Sequence, residues 1–162
     1  MDGLLRICED HGIDIEYVRL VPDRGLLGWY CADWDTGQPL ILLDDSLPNN
    51  PRLHRLVLAE EVGHHMVGVR RLGDSAVRWQ NEHRAMRWAV DYLIPTPRLA
   101  EAAERGLHLS HELAEWFDVP EWIVWRKFHA LKQDLRERHN LRVPISEILS
   151  SLLVDVLRQE AV

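Results

Sequence analysis

The stretch Leu56–Gly68, LVLAEEVGHHMVG, sits inside a longer segment, Arg52–Val67, that reads as one helix after the break Pro48-Asn49-Asn50-Pro51. At 100° per residue, Leu53, Val57, Glu60 and His64 fall on one stripe. A stripe that begins with apolar residues is expected to face inward. This one carries a carboxylate and an imidazole one turn apart, and an unpaired carboxylate is costly to bury. Two such groups at i and i+4 remove that cost if they jointly hold a metal ion. Leu58 and Val62 make the other side apolar as well, so the helix is expected to lie sandwiched in a core.

The next helix, about Val77 to Ile94, ends at Pro95-Thr96-Pro97 and repeats the pattern. Glu82, Met86, Ala89 and Leu93 share a face, with Arg84, Arg87 and Asp91 opposite, so Glu82 heads an expected inward stripe. Glu60, His64 and Glu82 then form a candidate three-ligand metal site with one open position, which catalytic zinc requires. Glu61 is rotated by about 100° from Glu60. It is the candidate general base, reaching a water at the metal without ligating it. The pattern is like the His-Glu-x-x-His helix of zincins, but Glu60 stands where the first His would be. Two carboxylates and one imidazole make a harder donor set, which opens the site to Mn²⁺ or another divalent metal besides zinc. Against this stands the bland reading, in which a Glu–His pair is a solvated surface pair and Glu82 opens a charged helix face. His54, His65 and His83 lie off the inward stripes and read as structural.

Upstream, Gly3–His11 reads as a short helix ended by Gly12. Ile13–Leu20 alternates as a strand, Pro22–Gly25 as a turn, and Leu26–Trp34 and Pro39–Leu43 as a hairpin through Asp35-Thr36-Gly37. Downstream come a helix from Pro97 to about Arg105, helices Ser110–Phe117 and Glu121–His139, and an amphipathic helix Ile145–Gln159. The spacing of Leu113, Ala114, Phe117, Val119, Val124 and Phe128 fits a helix-turn-helix core. A plain helical hairpin closing the core is the preferred reading, and the basic excess of Glu121–His139 is too modest for a DNA-binding assignment. The whole is an α+β chain with a small antiparallel sheet beside the Arg52–Val67 helix. Its expected division is a domain over 1–105 and a helical region over 106–162.

The 162 residues carry a net charge of −7, which disfavours broad nucleic-acid binding. Two cysteines, Cys8 and Cys31, form no Cys-x-x-Cys pair, so a thiolate zinc knuckle is excluded. They read as free thiols of a cytoplasmic protein, since the sequence opens without a secretory signal and has no membrane-spanning apolar run. Seven tryptophans imply buried positions or contact surfaces.

Three stretches resemble the ImmA/IrrE family of metallopeptidases: LVLAEEVGHHMVG (Leu56–Gly68), NEHRAMRWAVDYLIP (Asn81–Pro95), and the hairpin from Gly28 to Pro48. The likeness extends over roughly residues 1–130. It implies a zincin-like domain with Glu82 as third ligand, and site-specific cleavage of a helix-turn-helix repressor that derepresses its genes. Two other readings stay open. One is an anti-repressor that sequesters its target without cutting it, motivated by the missing first His. The other is a DNA-binding regulator using Ser110–Leu131, which the negative charge opposes.

Overall fold

The computed structural model describes residues 1–20, 26–33, 35–68 and 75–139. The turn expected at Pro22–Gly25 and the helix expected at Ile145–Gln159 lie outside them. Two compact units are present, Met1–Ala89 and Val90–Val162, with the boundary inside one long helix.

In the first unit, helix α1 (Asp2–His11) stops at Gly12, which adopts the left-handed conformation (φ 63°). The main-chain N–H of Gly12 bonds the Glu9 carbonyl and that of Ile13 the Cys8 carbonyl, closing the last turn. Strands β1 (Asp14–Val18), β2 (Gly28–Ala32) and β3 (Pro39–Asp44) form one sheet in the order β1-β3-β2. β2 and β3 pair antiparallel, as a hairpin must. Asp33 organises its turn: Oδ1 accepts from the Asp35 and Thr36 N–H groups and the Thr36 hydroxyl. β1 pairs with β3 in parallel, from Asp14 against Leu40 to Val18 against Asp44. The sheet is therefore mixed, which corrects the antiparallel expectation. β2 runs opposite to β1, so β3, its antiparallel hairpin partner, runs in the same direction as β1. Strand alternation in the sequence carries no information on which edge a later strand joins.

Asp44, almost fully buried, ties off β3. Its Oδ2 accepts from the Leu20 N–H and its Oδ1 from Ser46. After a short 3-10 turn (Leu47–Asn49), helix α2 (Pro51–Val67) starts with Asn50 Oδ1 accepting from the Leu53 N–H and Pro51 in the first turn. Leu58, Ala59 and Val62 are wholly buried, with Ile41 and Leu43 of β3 equally so. Helix α3 (Ser75–Leu93) follows, and Ala85 and Ala89 on it are also without exposure.

The second unit contains the end of α3, α4 (Thr96–Glu104), α5 (Ser110–Phe117) and α6 (Glu121–His139). Asp118, in the left-handed region (φ 52°), turns the chain between α5 and α6. Leu99, Leu113, Phe117, Ile123 and Phe128 are among its buried core. The fully buried Lys127 side chain donates to Asp91 Oδ1 at 2.7 Å. Among the described residues no helix is long and apolar enough to cross a membrane. Four of the tryptophans, Trp29, Trp79, Trp122 and Trp125, are 39%, 61%, 46% and 51% exposed.

Candidate metallopeptidase site

The first unit brings α2, α3 and β2 together around the residues singled out in the sequence. Gly63 allows the closest approach. A Cβ built on it would stand 2.5 Å from the Ala85 carbonyl oxygen, so no larger residue fits between the two helix backbones. The Arg84 guanidinium adds a bond to the Val67 carbonyl at 2.8 Å. This contact sets His64 of α2 against Glu82 of α3, with Nε2 and Oε2 3.4 Å apart.

Glu82 is coupled to His64 by its charge and by a side-chain hydrogen bond, and the pair presents one nitrogen and one oxygen of the types that bind zinc. The His64 side chain is 12% exposed and that of Glu82 56%. Burial lowers the His64 pKa below its ordinary value, and Glu82 only partly opposes this, so His64 is neutral with a lone pair to offer. The pair thus fits two positions of a metal's donor set. Glu60, one turn before His64, is half-buried. Among the described residues, no group of three or more His, Cys, Asp or Glu side chains is assembled that could hold a metal ion. The structure brings His64 and Glu82 together and does not close a three-membered set with Glu60.

Glu61 differs from its expected surroundings. It is the most buried polar group of α2, at 7% exposure, whereas its neighbours Glu60 and His64 lie at the edge of the core. The inward face of α2 is centred on Leu58, Glu61 and Val62 rather than on the Glu60–His64 stripe. Packing by the sheet on one side and α3 on the other rotates the buried arc away from the apolar start of the helix. Burial, followed by the charges of Glu60 and Glu82, pushes Glu61 up to about 8, and one main-chain N–H from Tyr30 opposes the rise. None of the groups that move Glu61 is a cation. The negative charge that Glu60 and Glu82 bring to Glu61 is one that a divalent ion would offset.

Strand β2 supplies two contacts that the sequence reading missed. Gly28 leaves room for the acid: a Cβ there would stand 2.6 Å from Glu61 Oε1. Tyr30 is held at both ends, its N–H on Glu61 and its hydroxyl sharing a 2.9 Å hydrogen bond with His65 Nδ1. His65 Nε2 in turn meets His11 Nδ1 at 3.2 Å. His83 donates from Nδ1–H to the Trp79 carbonyl at 3.0 Å. His54 pairs with the Tyr17 hydroxyl at 2.9 Å. A glycine opening a strand is the signal that was available for a close approach. No local pattern marked Tyr30.

The mixed sheet backed by a helix carries a buried acid and a His–Glu pair. The family model described as the IrrE N-terminal-like domain, Peptidase M78, matches residues 8–129, and the chain belongs to that family. The likeness seen in Leu56–Gly68 and Asn81–Pro95 is thereby borne out. No curated protein and no solved structure matches the chain.

Proposed function

We propose that the chain is a metal-dependent peptidase that cuts a helix-turn-helix transcriptional repressor at one site and so relieves repression in the cytoplasm. The observation that carries the reading is the His64–Glu82 pair at 3.4 Å beside the buried Glu61, in a chain of a peptidase family. His64 and Glu82 would hold the metal, zinc by preference or Mn²⁺, with Glu60 as the third ligand. A bound metal supplies Lewis acidity and lowers the pKa of water. Glu61 holds and moves the proton. Its raised pKa suits a group that takes a proton from water and returns it to the leaving amine near neutral pH. The Tyr30 N–H and the glycine at 28 orient its carboxylate.

The Glu at position 60 and the lack of a closed three-ligand group among the described residues favour a second reading, an anti-repressor that sequesters its target uncut. One experiment separates them. The repressor is incubated with the chain, with and without chelator, and both cleavage and release from DNA are scored. Glu61→Gln is expected to lower cleavage by ~10²–10⁴-fold, the usual range for a general base. Metal binding should remain, and derepression should be lost with cleavage. Wild-type derepression by uncut repressor in that variant would replace the peptidase with the sequestering protein.

A further inference from the structure

We propose that His65 is a positioning residue for Glu61 and acts through the Tyr30 hydroxyl. This rests on the peptidase reading, in which Glu61 is the general base, and says what holds that base in place. Among the described residues β2 is an edge strand, since the sheet order β1-β3-β2 leaves it one strand neighbour. Its bonds to β3 are made by alternate residues: the Leu27 carbonyl accepts from the Asp44 N–H, and the Asp33 N–H donates to the Gln38 carbonyl. Main-chain groups of the residues between turn the other way, so those of Tyr30 face away from β3. There the Tyr30 N–H meets Glu61.

The ladder cannot hold that contact, because it grips the opposite edge of the strand. Gly28, two residues earlier, has no side chain to reach α2. Tyr30 reaches it. Its hydroxyl shares a 2.9 Å hydrogen bond with His65 Nδ1. Glu61 and His65 stand four residues apart on α2, about 6 Å along the axis on one face. Tyr30 therefore spans one helical turn, with its main chain at Glu61 and its hydroxyl at His65. His65 is held in turn from α1: Nε2 lies 3.2 Å from His11 Nδ1, and the two rings meet edge to face at 84°. A neutral His65 satisfies both contacts, one ring nitrogen donating and the other accepting. Loss of the hydroxyl bond should release the Tyr30 N–H from Glu61 while the ladder stands.

The test is amide hydrogen exchange by NMR on the full chain, metal-free and ¹⁵N-labelled, as wild type, Tyr30→Phe, His65→Phe and His65→Asn. In Tyr30→Phe and His65→Phe the residue-30 amide is expected to exchange ~3–10-fold faster, the worth of one hydrogen bond. The Asp33 and Asp44 amides, which make ladder bonds, should keep their wild-type rates. His65→Asn restores a polar group near the Nδ1 position and should bring the residue-30 rate part of the way back. An unchanged rate at residue 30, a rise shared equally by Asp33 and Asp44, or no difference between His65→Asn and His65→Phe would overturn the proposal. The shared rise is what a merely structural contact gives. Zinc chloride titrated calorimetrically into the same variants should bind as it does to wild type. An affinity that falls together with the protection would mean that His65 serves the neighbouring His64, and would also overturn the proposal. No zinc bound by wild type would remove the peptidase reading and leave the contact to Glu61 standing, since exchange is measured without metal.

Discussion

Glu61 and Lys127 are both buried on helices, at 7% and 2% exposure, and the molecule treats them differently. Lys127 lies in the second unit with its ammonium 2.7 Å from Asp91 Oδ1, and the Asp91 side chain is 43% exposed. Its charge is matched and its aliphatic stem packs in the core. Glu61 lies in the first unit among two other carboxylates, with one main-chain N–H as its stabilising contact. A fold that had no use for Glu61 would gain by replacing it with an apolar residue. The paired charge belongs to structure. The unmatched one marks the place where chemistry is expected, since buried groups with displaced pKa values gather at active sites.

The largest effect on this contrast should come from breaking the matched pair. Asp91→Ala strands the Lys127 ammonium in the core and is expected to cost about 3–5 kcal/mol of unfolding free energy in a urea melt. Lys127→Met keeps the volume and leaves Asp91 partly solvated, so its cost should stay below about 1 kcal/mol. Equal costs for the two would mean that the pair is not what makes Lys127 tolerable.

Gly63→Ala should come next. Its Cβ meets a main-chain oxygen, which cannot swing aside, and such overpacking typically costs about 1–3 kcal/mol. It should also push α2 from α3 and weaken zinc binding, which calorimetry would show. Zinc affinity unchanged beside lost stability would detach the His64–Glu82 spacing from the helix contact.

A comparable effect, visible only at high pH, concerns Glu61 in the metal-free chain. Its folded-state pKa of about 8 lies above the ordinary 4.5, so the folded state keeps a proton that the unfolded state releases. Stability is then full below about pH 4.5 and falls as pH rises towards about 8, levelling off above it. Glu61→Gln keeps the acceptor for the Tyr30 N–H and removes the titration. It should match wild type at pH 4 and exceed it by roughly 2 kcal/mol at pH 8.5. Parallel pH–stability curves for the two proteins would show Glu61 to be ordinary.

Much of this was legible in the sequence, for reasons tied to particular residues. Gly12, Asn50-Pro51 and Pro95 punctuate helices by backbone chemistry that acts locally: α1 and α3 end, and α2 begins, within a residue or two of where those signals stand. His64 and Glu82 were both singled out by helical spacing, and the structure puts them together. The parallel pairing of β1 with β3 was not legible, because register between distant strands is a tertiary choice. Nor was the depth of Glu61, since periodicity gives the direction of a stripe while burial depends on what packs from each side. Tyr30 acts through its main-chain N–H, a group every non-proline residue has, so no sequence pattern marks it.

The contrast between the two buried charges stands or falls on whether Glu61 has a metal beside it. The direct measurement is calorimetric titration of zinc chloride into the metal-stripped chain, repeated with His64→Ala and Glu82→Ala. Expected is a single zinc per wild-type chain, with binding lost in His64→Ala and clearly weakened in Glu82→Ala while both variants remain folded by circular dichroism. Wild-type zinc affinity in both variants, or no zinc bound by the wild-type chain, would contradict a metal centre at the His64–Glu82 pair.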